Sequence, residues 1–251
     1  MKIVRCQSER GVRYGILEGG RVRVLAGDPF GAHRVEGEVA LAAVRLLAPC
    51  EPTKIVAVGI NYRPHAKELA FEIPAEPLIF LKPPSAVIGP GEAIVIPAMS
   101  RQVDYEGELG AVIGRPAKDI SEGEALAFVL GYTCVNDVTA RDLQRKDVQF
   151  TRSKSFDTFA PLGPWIETGL DPDQLTVETR VNGELRQRAG THEMIRSTAA
   201  LISFASRVMT LLPGDVIATG TPSGVGPLAT GDTVSVTISR IGTLTNKVAL
   251  P

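Results

Sequence analysis

Short apolar runs and period-two alternation dominate the chain, and sustained helical periodicity is rare. Lys2-Ile3-Val4-Arg5-Cys6, Arg13-Tyr14-Gly15-Ile16-Leu17 and Val22-Arg23-Val24-Leu25 read as short strands. Glu18-Gly19-Gly20-Arg21 between the last two is a hairpin signal. Residues 39–47 place apolar side chains at helical spacing, so a helix is expected there. Pro49-Cys50-Glu51-Pro52 then breaks the chain. These signals predict a small β-rich N-terminal domain over residues 1–50 and a main domain over residues 53–251. The first carries no candidate chemistry and reads as a structural or oligomer-forming cap.

In the main domain, residues 54–59 form a continuous apolar run expected to be a buried strand. Residues 76–82 form another, ended by Pro83-Pro84, and residues 93–96 a third. Ser121 to Glu124 fits a capping box ahead of the apolar stretch 125–130. Residues 131–139 read as a strand that delivers Asn136 and Asp137 at its end. Asn182-Gly183 predicts a hairpin over residues 175–188. Residues 193–211 read as an amphipathic helix stopped by Leu212-Pro213-Gly214. Residues 216–220 and 230–238 read as strands, with one more before the end. The class expected is α+β and strand-rich.

Composition fits this picture. The 251 residues are 44% hydrophobic and 22% charged, enough for a sizeable core without staples. The net charge of −1 gives no field for nucleic acid or an anionic membrane. No apolar run reaches the length of a membrane span, and Met1-Lys2-Ile3-Val4-Arg5 does not begin a signal peptide. Cys6, Cys50 and Cys134 lack CxxC spacing, which argues against a zinc knuckle or a disulfide framework. A cytoplasmic protein is expected.

The candidate chemistry centres on Val103-Asp104-Tyr105-Glu106-Gly107-Glu108-Leu109. On a strand, Glu106 and Glu108 leave the same face, and Asp104 shares their parity. Adjacent carboxylates repel unless a cation sits between them or one is protonated, and Mg2+ suits such an oxygen-rich site. The alternative is a solvated edge strand. Gly107 allows a close approach or a bend. Asp137 supplies either a third carboxylate from a neighbouring strand or a cap for the next turn. His65 and Glu68 share a helical face, as a general base with its orienting acid or as a surface ion pair. Lys154 stands among aromatics and prolines, either holding a substrate carboxylate or lying on the surface. Gly220-Thr221-Pro222-Ser223-Gly224-Val225-Gly226 is an anion-binding glycine turn or a plain β-turn; it is neither a Rossmann fingerprint nor a P-loop.

Taken in order, Gly59-Ile60-Asn61-Tyr62 with His65 and Glu68, Asp104 to Leu109, Asn136-Asp137-Val138-Thr139-Ala140-Arg141-Asp142-Leu143-Gln144, Lys154-Ser155-Phe156-Asp157 and the glycine turn resemble the fumarylacetoacetate hydrolase (FAH) family. The likeness covers about residues 53–250, and residues 1–50 look like the small leading domain of some bacterial members. The resemblance implies a mixed β-roll core, a homodimer, and Mg2+ (or Mn2+) held by Glu106, Glu108 and Asp137. It implies a lid carrying His65 and Glu68 as the base dyad, with Lys154 as a further catalytic residue. Tyr62, Arg141, Gln144, Lys154 and Thr221 would contact a small 2-oxo acid. Fumarylacetoacetate cleavage uses a fourth acidic metal ligand near the place where Asn61 stands, so the resemblance favours other branches. The reaction expected first is isomerisation of 2-hydroxyhepta-2,4-diene-1,7-dioate or decarboxylation of 5-oxopent-3-ene-1,2,5-tricarboxylate in aromatic catabolism. Acylpyruvate hydrolysis and oxaloacetate decarboxylation or tautomerisation are the alternatives. The non-enzymatic alternative is a silent metal- or ligand-binding protein.

Overall fold

The computed structural model describes residues 1–251. Its spine is a mixed sheet in which the acidic strand Gly107–Ile113 lies between Val129–Asn136 and Val216–Ala218, antiparallel to both. Val216–Ala218 runs parallel to Ile55–Gly59, which pairs with the edge strand Leu78–Lys82. Every residue of Gly107–Ile113 is buried, because the sheet is covered on both faces. On one face Leu109, Ala111 and Ile113 pack with Leu201, Ile202 and Ala205 of the helix Thr198–Val208. On the other, Val112 packs with Ile55, Ala57, Leu162 and Ile166. Apolar residues on both parities explain why these strands read as unbroken runs.

The N-terminal strands Lys2–Ser8, Gly11–Glu18, Arg21–Ala26 and Arg34–Ala40 form a meander, and Lys2 and Ile3 pair with Glu167 and Ile166 of Ala160–Glu167. The leading unit therefore extends the main sheet. The helix expected over residues 39–47 is absent. Arg34–Ala40 is a strand paired with Arg21–Ala26, followed by a 3-10 turn at Leu41–Ala43 and two strand residues at Arg45–Leu46. Exposed charges alternate along Arg34–Ala40, and pairing with its neighbour overrides the helical spacing of the apolar residues. The helix expected over 193–211 is shorter: Ser197 caps it, accepting from Ala200 N, and it spans Thr198–Val208. Ser121 is the N-cap of Glu122–Ala125, but its hydroxyl donates to the Glu124 carboxylate, so the reciprocal box is incomplete.

A second sheet holds the hairpin Thr176–Val181 and Glu184–Gly190 with Thr233–Ile238, Gly242–Ala249 and Ala93–Val95. Asn182 and Gly183 both have positive φ, as the tight turn requires. The hairpin lies close to the acidic strand: a Cβ on Gly107 would fall 2.0 Å from Thr179 Oγ1.

Candidate active site

Strand alternation breaks at Glu106. Val103–Tyr105 ends there and Gly107–Ile113 begins one residue later. The Glu106 N–H donates to Asn136 Oδ1 at 2.9 Å, and Asp137 N donates to Glu106 O at 2.8 Å. The end of the neighbouring strand is thus stitched to the Glu-Gly-Glu segment, which delivers Asp137 beside the glutamates. Oxygens of Glu106, Glu108 and Asp137 lie within 4.8 Å of one another, and all three residues are buried. The Glu108 carboxylate accepts from Gly220 N at 2.8 Å. Asp104 does not join them; its carboxylate takes Arg141 Nε at 2.8 Å and Gln102 Nε2 at 3.1 Å.

Three buried cations face these acids. Lys154 Nζ lies 2.8 Å from Glu106 Oε2 and 2.7 Å from Asp137 Oδ2. Lys82, with no exposed surface, pairs with Asp137 Oδ1 and donates to Val138 O at 3.1 Å. Arg141 is clamped between Asp104 and Glu106, and its Nη1 donates to Gln144 Oε1 at 2.5 Å. Burial pushes Glu106 up, but Lys154 and Arg141 outweigh it and hold the acid well below the usual carboxylate range. Glu108 has no such partner. Burial, then the charges of Asp137 and Glu106, raise it well above its ordinary value.

The dyad sits on the short helix Arg63–Glu68, with Pro64 in its first turn. His65 Nδ1 lies 3.0 Å from Glu68 Oε2, and Glu68 Oε1 accepts from Gly224 N at 2.9 Å. Tyr105 OH donates to Gly224 O at 2.9 Å, fixing that turn from below. His65 is only 4% exposed and lines one chamber with Glu106, Glu108, Asp137, Arg141 and Lys154. The pair therefore spans the chamber wall, with His65 inside and Glu68 on the exposed side. Ile60 (φ 58°) and Ala70 (φ 55°) hold left-handed backbone on either side of the helix, an unusual conformation for side-chain-bearing residues.

Among the expected substrate contacts, Arg141, Gln144, Lys154 and Thr221 line the chamber. The Thr221 hydroxyl, however, donates to Gly107 O and accepts from Gln187 Nε2. Tyr62 does not line the chamber; it is 1% exposed and its backbone bridges Met194. In the glycine turn, the N–H groups of Gly220 and Gly224 bind the protein's own Glu108 and Glu68. Asn61 is committed elsewhere. Its Nδ2 donates to Arg196 O and Thr219 O, and its Oδ1 accepts from Arg196 N. It ties the segment before the helix Arg63–Glu68 to Arg196 and Thr219.

Lys82 and Gln187 are the site residues that sequence reasoning missed. Lys82 ends an apolar run before two prolines, which looks like a strand leaving the core. Gln187 lies on the hairpin; its Oε1 takes Gly107 N at 3.0 Å and its Nε2 reaches Thr221 and Pro222.

The donor set fits a hard divalent cation: three converging carboxylates from separate backbone positions, with the Lys154 ammonium bridging two of them as a cationic stand-in. Each carboxylate oxygen has two lone pairs, so the lysine contacts do not exhaust the ligand capacity.

A structure of 2-hydroxyhepta-2,4-diene-1,7-dioate isomerase from Mycobacterium marinum matches with a TM-score of 0.94 at 49% identity, over 100% of this chain and 98% of that one. A fumarylpyruvate hydrolase from Pseudomonas aeruginosa, solved with Mn2+ and pyruvate, matches with a TM-score of 0.75 at 35% identity, over 79% of this chain and 90% of that one. An oxaloacetate tautomerase of Bacillus subtilis is 47% identical over 223 residues, 83% of this chain and 74% of that protein. Residues 1–49 match a family model described as Rv2993c-like, N-terminal. Residues 54–249 match the one described as fumarylacetoacetate (FAA) hydrolase C-terminal, and with these identities the chain belongs to the fumarylacetoacetate hydrolase family of enzymes.

Proposed function

We propose a divalent-metal enzyme, using Mg2+ or Mn2+, that moves a proton on a 2-oxo or 2-hydroxydienoic dicarboxylic acid. The reaction read first is isomerisation of 2-hydroxyhepta-2,4-diene-1,7-dioate, or decarboxylation of its tricarboxylate precursor, in aromatic catabolism. One observation carries this: three buried carboxylates converge within 4.8 Å beside a histidine–glutamate pair in the same chamber. The likeness to the M. marinum isomerase supports it.

Glu106, Glu108 and Asp137 would hold the ion. When bound, it supplies Lewis-acid polarisation of the 2-oxo and carboxylate oxygens. Charge balance is consistent with an anionic substrate. Asp104, Glu106, Glu108 and Asp137 face Lys82, Lys154 and Arg141, one negative charge in excess when all are ionised. A divalent ion reverses that sign. With Nδ1 turned to Glu68, His65 takes the 2-hydroxyl proton of the substrate at Nε2 and returns it to a carbon of the resulting dienolate, so that an O–H bond breaks and a C–H bond forms. Lys154 holds the anionic oxygen that forms as the proton leaves. Leu69 and Phe71, beside the lid helix, give the chamber an apolar wall.

The second reading is oxaloacetate tautomerisation, favoured by the B. subtilis relative and needing the same proton transfer. Acylpyruvate hydrolysis would ask His65 to activate water instead. We further propose a cytoplasmic homodimer. The deciding experiment is a panel of the dienoate, an acylpyruvate and oxaloacetate, with Mg2+ or Mn2+ and with chelator. Turnover of the dienoate that chelator abolishes is expected; turnover indifferent to chelator, or none on the whole panel, refutes the reading.

A further inference from the structure

The helix Arg141–Lys146 carries Arg141, Gln144 and Arg145 at spacings that share a face. Arg141 and Gln144 line the inner chamber that holds the carboxylates. All three line an outer chamber, closed on its other side by Glu68, Leu69, Ala70 and Phe71. The chambers meet at Leu69, Phe71, Arg141 and Gln144.

The inner chamber leaves about 40 Å³ of free room and the outer one about 200 Å³. The inner chamber is thus the smaller of the two. A substrate whose 2-oxo acid head sits at the carboxylates would extend a longer tail through this junction into the roomier outer chamber.

The charges facing that outer chamber are Glu68, Arg141 and Arg145. Both oxygens of Glu68 are engaged, by His65 and by Gly224 N. All three guanidinium nitrogens of Arg141 are engaged, by Asp104, Glu106 and Gln144. Arg145 pairs with no carboxylate; its contact is Nη1 to Gln102 Oε1 at 3.5 Å. We propose that Arg145 binds the distal carboxylate of a 2-oxo diacid and sets a preference for diacids over monoacids of the same length. This rests on the 2-oxo acid reading above, and names the residue that recognises the substrate's far end.

The test is calorimetric binding to the full chain loaded with Mg2+. The probes are 2-oxoheptanedioate and 2-oxoheptanoate, which differ only in the distal carboxylate. The diacid is expected to bind about fivefold more tightly, the factor a partly solvated ion pair gives. Arg145→Gln should bring that ratio close to one, and Arg145→Lys should keep part of it. Arg145 is exposed, so neither change threatens the fold. The preference should also shrink as salt rises. Equal binding of the two acids, or a ratio that survives Arg145→Gln, overturns the proposal. If neither acid binds, the 2-oxo acid reading falls and this proposal with it.

Discussion

Glu108→Gln should weaken metal binding and, unusually for a buried polar change, stabilise the metal-free protein. Glu108 has carboxylate neighbours within 4.8 Å and no cation bonded to it. At that separation, with an effective dielectric of about 20, each pair of like charges costs about 3.5 kcal/mol. Lys82, Lys154 and Arg141 offset much of this through Asp137 and Glu106, so a net gain of about 1–2 kcal/mol at pH 8 is expected. For a chain of this length that raises Tm by roughly 2–8 °C. Gln keeps an oxygen to accept from Gly220 N, so the change removes charge and little else. The sign with pH follows from the raised value of Glu108. Above its ordinary value of 4.5, the folded chain holds a proton that the unfolded chain has released. Stability from this group is therefore full below that value and is lost as pH rises through the folded value. The variant's advantage should be large at pH 8, shrink towards pH 5, and reverse when Mg2+ or Mn2+ is added. Thermal unfolding of chelator-treated protein at both pH values, with calorimetric metal titration, measures all three. A Glu108→Gln protein no more stable than its parent at pH 8, or one that binds metal with undiminished affinity, would refute the reasoning.

His65→Ala should lower kcat by roughly two to four orders of magnitude and leave calorimetric metal affinity intact, as for a lost acid–base group. The larger loss is expected if the reaction is hydrolysis. Lys154→Ala should lower kcat/KM about tenfold or more, or about 1.4 kcal/mol, in steady-state assays; an unchanged value removes Lys154 from the reaction. Gly107→Ala should destabilise the protein by about 1–3 kcal/mol in urea unfolding, because the new methyl meets Thr179 Oγ1 at 2.0 Å. Thr179→Ala in the same chain should restore part of that loss, since Thr179 Oγ1 has no hydrogen-bond partner to forfeit.

The chemistry was more legible in the sequence than the framework that positions it. Glu106, Glu108, Asp137, His65 and Lys154 come together in the chamber, the three acids fixed at strand ends and the two bases carried on the short helices Arg63–Glu68 and Thr151–Lys154. Asp104 shows where parity reasoning stops. Period-two alternation assumes an unbroken strand, and the ladder is interrupted at Glu106, so Asp104 turns to Arg141 instead. Lys82 and Gln187 were not legible, since each is defined by a partner far along the chain: Asp137 for one, Gly107 and Thr221 for the other. The glycine turn reads equally as an anion-binding loop or a plain β-turn, and two of its N–H groups are taken by the protein's own Glu108 and Glu68, which no local pattern announces. At residues 39–47, helical spacing lost to sheet pairing with Arg21–Ala26.

The Gln187 side chain joins the hairpin to the Gly107 amide on one side and to the Thr221 turn on the other. Any motion of the hairpin away from the acidic strand would therefore loosen the backbone between Glu106 and Glu108, so the precision of the carboxylate cluster becomes a property of a β-hairpin remote from it in the chain. The Gly107 amide, buried and bonded to a side chain instead of a neighbouring strand, is a natural clock for that event. Its deuterium exchange rate would count the openings, and a Gln187→Ala chain would run that clock fast.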